Sequence, residues 1–298
     1  LNMRKPFLFL FVLLLALAPL IPVKGEGEAT STEPQLEKLL QRAERASRQA
    51  RFERRTEESL RGAIELYERA LKRGAEGADP LRQLSIGYFM LAESFLEEEE
   101  ERKAAYERGL QYGLRALKKC TSFGRLYREK GMKALADLPR DCRDVEALFG
   151  VGSNLGRLAE FKGVMNSLGD LPLLLSLYRR SLEVDESYMG AAPHRALGAV
   201  GGEVMGRMPL TFWQVRRHDL NWEKVKDHYE RAIELAPKCL ENYFSYAKYF
   251  ALKKGQRELA RKLLKRVLDS PLGEKYPLIN MVAKDKARGL WEKEFYQK

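Results

Sequence analysis

The sequence predicts an all-α domain of tandem helix hairpins, four to five pairs wound into one compact superhelix over residues 35–298. Three observations point that way. Apolar residues recur at helical spacing after residue 35, no second Pro/Gly/Ser-rich linker interrupts them, and one block of residues returns after 34 positions. A fixed period of that length marks a repeat whose unit cannot bury its own apolar face, so stacked neighbours bury it for one another.

The clearest copy runs from Val225 to Pro237, with Tyr229 and Ala232 at the spacing of a tetratricopeptide repeat. Thirty-four residues on, Leu259, Leu263 and Pro271 take the places of Val225, Tyr229 and Pro237, and Tyr243, Tyr246, Ala247 and Phe250 supply the intervening first helix. Small residues let the helices of a pair lie close, and the aromatic fills the gap to the next pair. Ala63, Tyr67 and Ala70 repeat the spacing, down to the same Tyr-Glu-Arg-Ala; Leu81, Leu84, Ser85 and Tyr88 follow as a first helix. Gly109, Gly113 and Ala116, then Leu174, Tyr178 and Ser181, give two degenerate second helices.

Ahead of this domain, residues 1–25 carry the pattern of a cleaved signal peptide. Arg4 and Lys5 precede the apolar run Phe7 to Ala18, which Pro19 and Pro22 interrupt before the roughly 20 residues a membrane-spanning helix needs. Ala16-Leu17-Ala18 is followed by Pro19, so Gly25 is the better end. Residues 26–34 are small and polar and are expected to form a linker. No cysteine lies near the junction to carry lipid. The expected location is the periplasm or cell envelope.

The chain holds 53 Lys and Arg against 42 Asp and Glu; without Arg4, Lys5 and Lys24 the balance is 50 to 42, still near +8. Acidic residues interleave with the basic ones, as in Glu223-Lys224-Val225-Lys226-Asp227, which is the pattern of solvated helix faces and argues against nucleic acid. Cys120, Cys142 and Cys239 show no Cys-x-x-Cys spacing, and only His194, His218 and His228 would join them, so neither a metal site nor a cofactor is expected. Cys120 and Cys142 bracket a stretch expected to be irregular, and form either a disulfide or two buried thiols. No nucleophile with a base, metal cluster or pair of carboxylates marks an enzyme. Glu97 to Glu101 fits a solvated helix end, Asp141 and Asp144 fit helix caps, and His194 fits a local hydrogen-bonding role.

Two departures from the period matter most, because insertions in repeat proteins fall at loops and often line a binding face. Between Glu186 and Pro237 the spacing exceeds one period by an insertion around Gly201 to Asn221, which contains Met205, Met208, Pro209, Leu210, Phe212 and Trp213. Either these residues fold back into the core, or they form the mouth of an apolar site or a partner contact. The second departure, Lys118 to Asp144, leads into a helix with Gly150, Gly152 and Gly156, each lowering helix propensity by about 1 kcal/mol relative to Ala. Close approach of a neighbouring helix, or of a ligand in an interhelical pore with Asn154 as its polar group, would explain them.

Asp144 to Phe149 with Asn154 and Gly156, Tyr178 to Tyr188, Arg195 to Ala199 and His228 to Tyr249 together resemble the tetratricopeptide-containing T component (TatT) of tripartite ATP-independent periplasmic (TRAP) transporters. The resemblance covers most of residues 35–298. It implies a periplasmic helical protein with a hydrophobic passage in each subunit, association into trimers, and pairing with the solute-binding subunit. The chain departs from the pattern in having no lipid-bearing cysteine, as some members do, and in having Gly150 where a bulky aromatic is commoner. The resulting expectation is a non-enzymatic accessory protein that relays an apolar, carboxylate-bearing solute. Arg195 and Asn154 would be its polar contacts, and Phe149, Phe212, Trp213 and Tyr243 its apolar lining. The alternative is a generic envelope scaffold whose grooves bind protein segments and whose interior is filled.

Overall fold

The computed structural model describes residues 32–296, and among these every regular element is helical. α1 (Thr32–Gln49) runs into a π-helical turn at Ala50–Arg54 and packs on α2 (Glu57–Lys72). It takes in residues 32–34, which the linker was expected to occupy; the leader and residues 26–31 lie outside the described residues. α3 (Ala78–Ser94) pairs with α4 (Glu99–Leu117). α5 (Thr121–Lys130) and a 3-10 turn (Gly131–Asp137) come next, followed by α6 (Val145–Lys162), a second 3-10 turn (Met165–Asp170) and α7 (Leu171–Val184), with α6 packed on α7. α8 (Tyr188–Met205), the short α9 (Phe212–His218) and α10 (Trp222–Leu235) follow, and α8 pairs with α10. α11 (Leu240–Tyr246), prolonged by a π-helical turn at Ala247–Ala251, packs on α12 (Arg257–Asp269). α13 (Pro277–Trp291), ending in a π-helical turn at Glu292–Tyr296, caps that last pair. Five hairpins and a capping helix result.

Short polar signals set the helix starts. Thr56 and Ser59 close a reciprocal capping box on α2, Asp144 Oδ1 accepts from the Ala147 amide at 3.0 Å, and Asn221 Oδ1 accepts from the Lys224 amide at 2.8 Å. Asp144 is thus a cap as expected, whereas Asp141 instead accepts from the Ser122 hydroxyl at 2.6 Å. Glu99, Glu100 and Glu101 form the first turn of α4, where their charge favours the positive end of the helix dipole.

Burial follows the position of each helix in the stack. α2, α10 and α12 each bury a single stripe: Ala63, Tyr67 and Ala70; Val225, Tyr229 and Ala232; Ala260, Leu263, Leu264 and Val267. α3, α6 and α8 are buried around most of their circumference, because helices cover them on more than one side. Such crowding explains the glycines. A Cβ at Gly150 would stand 2.7 Å from Ser85 Oγ, and one at Gly152 would stand 2.7 Å from the Tyr178 ring. Neighbouring helices therefore make the close approach that the sequence signalled.

The stretch from Lys118 to Asp144 is helical rather than irregular, with α5 and the 3-10 turn held between the disulfide-bonded Cys120 and Cys142. The insertion folds back in part: Thr211 is buried, and Val215 and Leu220 pack against the core. α8 continues to Met205, and from Gly206 to Leu210 every residue is exposed.

The closest packing in the stack sits where α8 crosses the π-helical turn after α11: a Cβ at Gly202 would run into the backbone carbonyl of Tyr249, which cannot rotate away. By contrast, a Cβ at Gly62 in α2 meets nothing within 4 Å. Gly202→Ala is expected to lower stability by about 1–3 kcal/mol through overpacking, and Gly62→Ala to raise it by roughly 0.5–1 kcal/mol. Urea unfolding of the two variants checks the pair.

Candidate functional site

The superhelix closes on itself. α13 reaches back from the last hairpin to α3 and to the turn at Ala50–Arg54. Glu93, in the last turn of α3, holds the junction, with a side chain only 8% exposed. Arg157 grips it with two nitrogens, Nε to Oε1 at 2.8 Å and Nη2 to Oε2 at 2.9 Å. Lys286 Nζ of α13 donates to Oε2 at 2.6 Å across 193 residues of sequence, and the Tyr106 hydroxyl of α4 donates to Oε1 at 2.5 Å. Burial alone would raise the Glu93 carboxyl. The charges of Arg157 and Lys286 and the hydrogen bonds from Lys286 and Tyr106 outweigh that and hold it well below the usual carboxylate range. Arg157 also binds Glu160 at 2.8 Å, so two cations answer two carboxylates.

Inside the ring lies a cavity of about 230 Å³, partly open to solvent. That is far above the roughly 10–15 Å³ that one water requires. Its wall is mostly apolar: Phe149 from α6, Leu171 and Leu174 from α7, Val200 from α8, and Leu278 and Val282 from α13 contribute to it. Charged residues stand among them: Arg157 and Lys286 are bound to Glu93, Glu160 to Arg157 at 2.8 Å, and Glu203 to Lys253 at 3.0 Å, while Glu241 accepts from Ser245 Oγ at 3.3 Å. Arg195 is the lining cation with no carboxylate partner among the described residues.

Arg195 also shapes the backbone. α8 opens with three consecutive left-handed residues, Met189, Gly190 and Ala191, at φ 46°, 70° and 62°. Two of these carry side chains, at an expense of about 1–3 kcal/mol each. Arg195 Nη1 donates to Gly190 O at 2.9 Å and to Asn242 Oδ1 at 2.7 Å, and Asn242 Nδ2 donates to Ala232 O at 2.8 Å. These bonds tie the turn to α10 and α11, so Met189 and Ala192 line the cavity.

The residues expected at a site separate into two groups. Phe149 and Arg195 line the cavity, with the Phe149 ring centroid 5.5 Å from that of Tyr188 and 6.0 Å from that of Tyr178. Asn154 is fully buried outside it, where it donates to Gly150 O at 2.8 Å and Ser85 O at 3.2 Å and joins α6 to α3. Tyr243 is also outside the wall, its hydroxyl bonded to Pro237 O at 3.1 Å. Phe212 and Trp213 stand in solvent, because α9 lies on the outer surface and buries none of its residues. Cys120 and Cys142 are adjacent to Asp141, but sulfurs bonded to each other are not thiolate ligands for a metal.

Sequence reasoning missed Glu93, Arg157 and Lys286. Each looks like an ordinary charge on a helix face, and the partners of Glu93 lie 64 and 193 residues away.

The family model of the TRAP transporter T-component matches residues 58–295, from the start of α2 to the end of the last π-helical turn. The chain belongs to that family. No match to a curated protein was found. The T-component match takes in Glu93, Tyr106, Arg157 and Lys286 and the residues of the cavity wall.

A second polar cluster sits behind α8. His194 Nε2 meets Glu186 Oε2 at 3.1 Å, and Glu186 is bound by Arg231 at 2.6 Å. With His194 donating to Glu186, its Nδ1 accepts from His228 Nδ1 at 2.9 Å. Burial, then the neighbouring His194, pushes His228 down to about 4; Asp227 opposes the shift while Arg179 and Lys224 add to it.

Glu93→Gln removes the buried carboxylate that Arg157 and Lys286 share, with Arg157 keeping Glu160, and is expected to lower stability by about 2–3 kcal/mol in urea unfolding. Lys286→Met keeps the Glu93–Arg157 pair and should cost less, with faster amide exchange confined to α13. For His228 the folded protein binds fewer protons than the unfolded chain between pH 6.5 and 4, so this group withdraws stability as pH falls through that window and is neutral above it. His228→Gln should flatten the dependence of Tm on pH there.

Proposed function

We propose that the protein is the non-catalytic T component of a tripartite ATP-independent periplasmic transport system, resident in the periplasm, and that it holds an apolar solute in its central cavity. The observation that carries this reading is the closed ring of helices around an apolar space. A scaffold that only bound protein segments in its grooves would fill that space with side chains, whereas a concave apolar wall with few polar groups suits a small ligand.

The charges on the wall favour a solute with a carboxylate end. Arg157 and Lys286 are already engaged by Glu93, which leaves Arg195 to receive an anion, with Phe149 and the leucines of α7 and α13 around the apolar part. The same reading has the protein dock on the solute-binding subunit of the transporter and associate with its own copies, as trimers in the family pattern. No enzymatic step is part of it.

Native mass spectrometry of the exported protein, followed by denaturing extraction, tests the proposal. The expected result is a trimer retaining an apolar acid at one per chain. Ala196→Trp, which places an indole in the cavity, should preserve helicity and lose that mass. An empty wild-type protein, or equal retention by the variant, would overturn the assignment.

A further inference from the structure

Seven large apolar side chains are well exposed among the described residues, and four of them fall between residues 208 and 213. Met208 is 42% exposed, Leu210 71%, Phe212 43% and Trp213 76%. The segment that carries them is anchored at its base: Thr211 donates its hydroxyl to Val204 O at 2.6 Å, Val215 packs on the core, and Arg179 Nη2 donates to His218 O at 3.4 Å. The rigid base and exposed tip set this loop apart from a collapsed insertion.

The charge around the tip has one sign. No Asp or Glu occurs between Glu203 and Asp219, whereas Arg207, Arg216 and Arg217 are all exposed there. Glu203 is bound to Lys253, and Asp219 is held by Lys224. On α9, Arg216 and Arg217 lie three and four residues after Trp213 and so share its face. At the other end of the helix His218 borders a polar pocket of about 330 Å³ with Arg179 and Arg180. Arg180 is committed to Glu183 at 2.6 Å, but the buried Nε2 of His218 has no hydrogen-bond partner.

From these observations we infer that the Gly206–His218 segment docks the protein on the surface of an anionic phospholipid bilayer. Trp213, Leu210 and Phe212 enter the boundary between headgroups and acyl chains, while Arg207, Arg216 and Arg217 meet the lipid phosphates. Tryptophan with leucine and phenylalanine suits that boundary, and each arginine near an anionic surface adds attraction that salt screens. A protein partner is the weaker fit: the patch is four exposed apolar side chains among arginines, not a broad surface around a buried anchor. No helix among the described residues is long and apolar enough to cross a membrane, and the inferred contact is a surface one. It stands independently of what the cavity holds.

Tryptophan quenching by brominated phosphatidylglycerol vesicles tests the inference, and residues 1–31 contain no tryptophan to confuse the signal. The wild-type chain should be quenched by brominated phosphatidylglycerol, less so by brominated phosphatidylcholine, and Trp213→Phe should lose the effect while Trp222 and Trp291 still fluoresce. Arg216→Glu with Arg217→Glu should weaken partitioning on the order of tenfold or more at low salt. Equal quenching of wild type and Trp213→Phe, or unchanged partitioning after charge reversal, would overturn it. So would loss of self-association or of a protein partner in these variants with vesicle binding intact. All these side chains are exposed, so circular dichroism and Tm should match wild type.

Discussion

A carboxylate buried as deeply as Glu93 persists only where its charge is answered, and here α4, α6 and α13 answer it together. That requirement fixes where α13 lies. A solenoid of hairpins has no intrinsic reason to close, since each repeat contacts only its neighbours. Lys286 supplies the reason, because its ammonium and the Glu93 carboxylate lose water together and must stay together. Once α13 is held against α3, the inner faces of α6, α7 and α8 enclose a space instead of lining an open groove.

The same junction determines the chemistry of that space. By consuming Arg157 and Lys286, Glu93 removes two cations from the wall, and Lys253 removes the charge of Glu203 from the other side. A wall that carries several ionic groups is therefore mostly neutralised, with Arg195 as its unpaired cation and Glu241 as the lining carboxylate that no cation among the described residues answers. Arg195 has a second task, since the left-handed opening of α8 depends on its bond to Gly190 O. Binding and backbone geometry meet at this residue, and substitutions there change both.

The repeat architecture was legible in the sequence because it rests on local spacing. Tyr67 and Tyr229 mark equivalent helices, and Asp144 announces a helix start three residues before the group it caps. Gly150 and Gly152 reported close approach correctly, though sequence could not say that Ser85 and Tyr178 were the neighbours. Phe149 and Arg195, which line the cavity, were singled out because they belong to the family-like segments around them. The ring junction was invisible for the opposite reason: Glu93 stands four residues before the acidic run Glu97 to Glu101, and its meaning comes from residues far along the chain. Phe212 and Trp213 were singled out as unusual for a loop, yet their direction depends on how α9 leaves α8, which no local pattern encodes. The disulfide of Cys120 and Cys142 was one of two readings, and only three-dimensional proximity separates them.

The measurement closest to the central claim is a crystal structure of the protein under xenon pressure, because an apolar space of this size takes up the gas while a filled interior does not. The account predicts xenon between Phe149, Leu171, Leu278 and Val282, with Lys286 bound to Glu93 in the same crystal. A solid core at those side chains, or α13 standing away from α3 with Glu93 in solvent, would contradict it.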